Sequence, residues 1–104
     1  MLNTTPVEAQ VPRVTALYQN EPNPFNPTTR ISFDLAQKGQ VEIRIFDVSG
    51  RRVRDLAHGE LAAARHVVTW NGLDDAGHRV SSGVYFYRLV TDDYSATRKM
   101  VVLK

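Results

Sequence analysis

From Thr29 onward, apolar side chains recur at every second position, the period of an extended strand with one buried face. Ile31, Phe33 and Leu35 share one face, a turn follows at Gln37-Lys38-Gly39, and Val41, Ile43 and Ile45 share the next, with Glu42 and Arg44 pointing away. The break at Ser49-Gly50 predicts a hairpin that joins this strand to another over Arg51 to Leu56. Glu60 to Ala64 holds three successive alanines but is too short to persist as a helix, so it is predicted as a loop. Beyond it, His66, Val68 and Trp70 fall on one side of a strand, and the single tryptophan is the candidate centre of the core. Asn71-Gly72 and Asp74-Asp75-Ala76-Gly77 carry turn chemistry, followed by strands over Val84 to Val90 and Ser95 to Leu103 with a turn at Asp92-Asp93.

The first part of the chain reads differently. Residues 1–13 contain Pro6 and Pro12 and few large apolar groups, which predicts a flexible linker ahead of a domain spanning 14–104. Val14, Ala16 and Tyr18 alternate as a first edge strand. Pro22, Pro24 and Pro27 then exclude helix, and Phe25, the one large apolar group among them, is positioned to pin the segment to the core. Seven short strands with no helix between them predict an all-β fold, a seven-stranded antiparallel sandwich of immunoglobulin-like or fibronectin-III-like type.

Composition narrows the function. With 104 residues and 42% hydrophobic content the chain fits one folded domain. The absence of cysteine excludes disulfides and thiolate metal sites, so stability must come from burial. A net charge of +2 is too small to make a nucleic-acid binder by itself; the tightest basic cluster, Arg51, Arg52 and Arg54, alternates with Val53 and reads as a solvated strand edge. No apolar run is long enough to span a bilayer, so no direct membrane insertion is expected. Met1 to Gln10 lacks the features of a secretory signal, so an exported protein would contain this chain as a piece of something longer.

The residues that carry chemistry are dispersed. His58, His66 and His78 lie in or beside different loops, and Asp74-Asp75 and Asp92-Asp93 lack the alternating ligands of a calcium loop. Ser81-Ser82 beside Gly83 lacks the flanking glycines of a hydrolase elbow, and single glycines form no phosphate loop. We therefore expect neither catalysis nor a metal or cofactor. Strand parity does suggest a surface. If Ile43, Tyr85, Tyr87 and Met100 face inward, then Arg44, Phe46, Phe86, Arg88, Lys99 and Val101 share an outward face that mixes apolar and basic groups, as partner-binding patches do. Loops or the proline-rich segment covering Phe46 and Phe86 would remove that surface.

Several stretches resemble one family. Leu17 to Pro27 is similar to the opening motif of the C-terminal sorting domains (type A) of the type IX secretion system, and Val41 to Gly50 to their strand ending in an Asp-Val-x-Gly turn. Val68 to Gly72, Asp74 to Gly77, Ser82 to Leu89 and Thr97 to Val101 follow in that family's order, so the resemblance covers about Leu17 to Lys104. Ala64 departs from it, at a position where the family often has glycine. The resemblance extends to the immunoglobulin-like domain of flagellar hook-capping proteins, so fold alone does not separate the two.

What it implies is a noncatalytic sorting and anchoring module, covalently linked to an upstream cargo domain. Such a module is recognised by the outer-membrane secretion translocon of a Gram-negative bacterium and by cell-surface processing machinery. The cargo would pass through the periplasm and outer membrane to be secreted or held at the cell surface, with any cleavage between Asn3 and Arg13. The alternatives are a hook-cap-like scaffold domain and a structural or carbohydrate-binding accessory domain of a secreted enzyme.

Overall fold

The computed structural model describes residues 11–104, so most of the expected linker, and most of the interval expected to hold a cleavage point, lies outside the described residues. Seven strands form two antiparallel sheets: β1 (Ala16–Leu17), β2 (Thr29–Leu35) and β5 (Ala64–Trp70) in the order β1-β2-β5, and β4 (Arg52–Leu61), β3 (Gly39–Phe46), β6 (Gly83–Val90) and β7 (Ser95–Val102) in the order β4-β3-β6-β7. No helix is present among the described residues. This is the predicted immunoglobulin-like sandwich, three strands packed on four.

The core follows from alternation. Ile31, Phe33 and Leu35 of one sheet face Val41, Ile43, Ile45, Tyr85, Tyr87, Leu89, Met100 and Val102 of the other, all buried. Trp70 is fully buried between them, with its ring centroid 5.6 Å from that of Phe25 and 5.9 Å from that of Tyr85. Its indole Nε1 donates to the Leu73 carbonyl at 2.9 Å, which satisfies the one polar group of the ring.

The proline-rich segment is built into the domain. Phe25 is buried, its amide donates to the Val101 carbonyl at 3.1 Å, and its carbonyl accepts from the Leu103 amide at 3.0 Å. Asn23 Oδ1 accepts from the Val101 amide at 2.9 Å, and Gln19 Nε2 donates to the Lys99 carbonyl at 2.8 Å. The free edge of β7 is thereby occupied by the chain's own first motif, a protection that sheet edges require. Behind it Asn20, also buried, donates through its amide to the Tyr87 hydroxyl and through Nδ2 to Thr29 Oγ1, while Tyr87 donates to the Tyr18 carbonyl.

Two expectations are corrected. The loop expected over Glu60 to Ala64 is mostly strand, because β4 continues to Leu61 and β5 begins at Ala64, leaving only Ala62-Ala63 between them. Leu61 pairs with Gly39 and Ala57 with Ile43, so completing the partner of β3 outweighs the weak strand preference of alanine. The first strand is also shorter than Val14 to Tyr18: it comprises Ala16–Leu17, and Val14 is exposed. The hairpin at Ser49-Gly50 forms as expected, with Gly50 at φ 88°, a conformation that suits glycine.

Candidate functional site

The outward positions of β3, β6 and β7 form one contiguous surface. Phe46 is the cross-strand partner of Phe86, and Phe86 in turn of Lys99. Arg44 is opposite Arg88, and Val84 is opposite Val101. All six residues singled out by parity therefore share one face of the four-stranded sheet. Arg88 and Lys99 are exposed, whereas Arg44, Phe46, Phe86 and Val101 are half-buried. The proline-rich segment runs beside β7 and packs Phe25 between the sheets rather than over this face.

The geometry of the face is specific. The Arg88 guanidinium carbon lies 4.7 Å from the Phe46 ring centroid, a cation–π contact that holds the charge over the aromatic row. Arg44 Nη2 lies 3.4 Å from Glu42 Oε2, while Arg44 Nε is buried with no hydrogen-bond partner in the protein. Asp55, the register partner of Arg44 on β4, has a buried Oδ1 that is likewise unpaired, and its Oδ2 lies 3.4 Å from His58 Nδ1. Glu42, Arg44, Asp55 and His58 line part of a groove of about 380 Å³ that opens beside Val90 and Asp92. Glu42 shares the parity of Arg44 and was legible from the sequence; Asp55 was not, because a register shift between Ile43 and Arg44 displaces β4 by one residue.

The remaining polar candidates have local partners. Asp74 Oδ1 accepts from the amides of Ala76 and His78, and the His78 amide, with smaller contributions from other donors, holds the carboxyl below its ordinary value. Asp75 Oδ1 accepts from the Asp55 amide and its Oδ2 lies 3.3 Å from Arg52, so the loop covers part of the open edge of β4. Arg51 lies 3.4 Å from Asp47, and Arg54 donates to the Asp74 carbonyl at 3.2 Å, so the basic cluster is tied to neighbouring turns at the sheet edge. His66 stacks on Phe33 with ring centroids 5.3 Å apart. Among the described residues no three His, Asp or Glu side chains are grouped as a metal site.

On the opposite sheet lies a cluster that sequence reasoning missed. Asp34 receives Arg65 Nε at 2.7 Å and Nη2 at 3.0 Å, and the Tyr18 hydroxyl at 2.5 Å. The Arg65 hydrogen bonds, joined by that from Tyr18, hold the Asp34 carboxyl below its ordinary value against the opposing effect of burial. The same bond to Asp34 raises the Tyr18 hydroxyl. Asp34 and Arg65 are register partners, so the pairing of β2 with β5 was the signal needed to find them.

The family model of the FlgD Ig-like domain matches residues 19–94. No curated protein matches the chain. Among solved structures, the chain is similar to dimeric latent PorU from Porphyromonas gingivalis, with 20% identity and a TM-score of 0.66 over 88% of this chain and 9% of that one. It is similar to PorZ of the same organism, described as an essential bacterial surface component of the type-IX secretion system, with 24% identity and a TM-score of 0.58 over 85% of this chain and 11% of that one. It is also similar to FlgD from Xanthomonas campestris, described in terms of hook capping essential for flagellar assembly, with 20% identity and a TM-score of 0.53 over 88% of this chain and 63% of that one. The chain thus spans about a tenth of the two P. gingivalis proteins and less than two thirds of this FlgD.

Proposed function

This chain belongs to the FlgD Ig-like domain family, and from that premise we propose that it is a noncatalytic sorting and anchoring module that directs an attached cargo through the type IX secretion system to the cell surface. The observation that carries this reading is the face of Arg44, Phe46, Phe86, Arg88, Lys99 and Val101. It combines aromatic and cationic groups on a rigid sheet, a composition suited to recognition by another protein. The order of motifs from Leu17 to Lys104 and the fold shared with PorZ support the same direction.

The test is a fusion of this chain to a signal peptide and a reporter, expressed in a bacterium that has the secretion system. The double variant Phe86→Ser and Lys99→Glu should leave the reporter in the periplasm while the purified variant domain melts as the parent does. Normal release of the double variant discards this face as the recognition surface.

The family match also favours a second reading, a hook-cap-like scaffold. It expects labelled domain at the tips of flagellar hooks by electron microscopy, and no dependence of cargo release on this chain. A carbohydrate-binding reading has less support, because Trp70, Tyr85 and Tyr87 are buried and offer no platform for sugar stacking. A polysaccharide-binding panel separates it from the first.

A further inference from the structure

We propose that the outer face of the β4-β3-β6-β7 sheet binds an extended, acidic and apolar segment of a partner protein, whose carboxylates are received by Arg44 and Arg88. The inference rests on reading this face as a partner-binding surface and adds the chemistry of what it accepts.

Arg44 and Arg88 stand directly opposite each other on paired strands. Like charges in that position destabilise a sheet, so the pair works against the fold that carries it. Neither cation is fully compensated. Arg44 meets Glu42 through Nη2, yet its Nε is buried without a partner. Arg88 has no carboxylate within ion-pair distance among the described residues, and its guanidinium is held over the Phe46 ring. An incoming carboxylate that bridges the accessible ends of the two guanidinium groups would relieve their repulsion, a gain that an uncharged ligand cannot supply.

The surroundings specify more. Phe46 and Phe86 form an apolar row one step along the strands, with Lys99 at its β7 end. Ligand carboxylates and apolar side chains two residues apart, on the same side of an extended segment, would meet first the arginine row and then the aromatic row. A nucleic acid fits less well. Glu42, two residues before Arg44 on β3, and Asp55, the partner of Arg44 on β4, end the positive ground there, so the cations form one short row rather than the continuous track a phosphate backbone needs.

The experiment titrates the isotopically labelled full chain with a peptide repeating Glu-Ser-Leu-Ser, which places glutamate and leucine on one side of an extended chain, a matched peptide carrying lysine for glutamate, and a single-stranded oligonucleotide. The expected result is saturable binding of the acidic peptide alone, weakening as salt is raised, with amide shifts at Arg44, Phe46, Phe86 and Arg88. The double variant Arg44→Gln and Arg88→Gln should bind that peptide at least about tenfold more weakly, as loss of paired interface charges implies, at a melting temperature no lower than the parent's because the repulsion between them is removed. Equal binding of the lysine peptide, tighter binding of the oligonucleotide, shifts confined to other surfaces, or no effect of the double variant would overturn the proposal.

Reporter release is read separately. If the Arg44→Gln and Arg88→Gln variant loses peptide binding but still releases cargo, the inference stands and the translocon is not the partner. If Phe86→Ser and Lys99→Glu block release while the parent chain binds no acidic peptide, the sorting function stands and the inference falls.

Discussion

Asp34 shows how much a single carboxyl can contribute when its partners are arranged around it. Its folded-state ionisation lies below the ordinary value of 3.8, first because of Arg65 and then Tyr18, so the stability it supplies is fully present above pH 3.8 and is lost as pH falls through the folded value. Asp47, held down by the Ser49 hydroxyl, and Asp74, held down by the His78 amide, act in the same direction. Chemical denaturation should therefore show stability falling below about pH 4, and Asp34→Asn should be less stable at neutral pH with a shallower acid limb. Tyr87 makes a different contribution. Burial raises its hydroxyl above the ordinary value, and the neutral group accepts from the Asn20 amide while donating to the Tyr18 carbonyl. Tyr87→Phe leaves both partners unpaired and should cost about 1–3 kcal/mol. Trp70→Ala empties the middle of the core and should cost about 3–5 kcal/mol, both changes being measurable by the midpoint of urea unfolding.

At the scale of the elements, the proline-rich segment and β7 form one unit. Phe25 ties the segment to the core and brackets Val101 and Leu103 with backbone hydrogen bonds. Phe25→Ala should cost about 3–5 kcal/mol and should release the amides of Val101 and Leu103 to hydrogen exchange before those of β3. Deleting Arg98 to Lys104 would remove Met100 and Val102, both buried, so the truncated chain should lose its cooperative melt. Retention of a reporter fused to it would then report unfolding rather than a missing address, which is why surface substitutions are the better test. Alternation exposed most elements in the sequence because β2, β3 and β6 each bury one face. It stopped short of the second half of β4 because that edge strand has one partner, shows little contrast between its faces, and contains a register shift and Gly59 at φ 133°. Those same irregularities hid Asp55, while pairing across β2 and β5 hid the link between Asp34 and Arg65.

Across the whole molecule, the two ends of the described chain lie at opposite poles of the sandwich. Thr15 accepts from the Ala36 amide at the pole of the β2–β3 and β6–β7 turns, and Leu103 leaves beside Phe25 at the pole that holds Gly50 and the loop from Asn71 to Ser82. An upstream cargo would sit at the first pole, so the face of Arg44, Phe46, Phe86 and Arg88 runs along the side and stays accessible. The six patch residues were legible in the sequence as positions of one parity, and their contiguity required the strand order. Hydrogen bonds joining Gln19 to Lys99 and Arg98 to the Leu17 carbonyl span nearly the full domain in sequence. A topology that waits for such distant pieces folds slowly, and here the contacts of the opening stretch with β7 form only once that strand has been synthesised. A nascent chain halted anywhere before Met100 should remain protease-sensitive, because Met100 and Val102 fill the β7 side of the core.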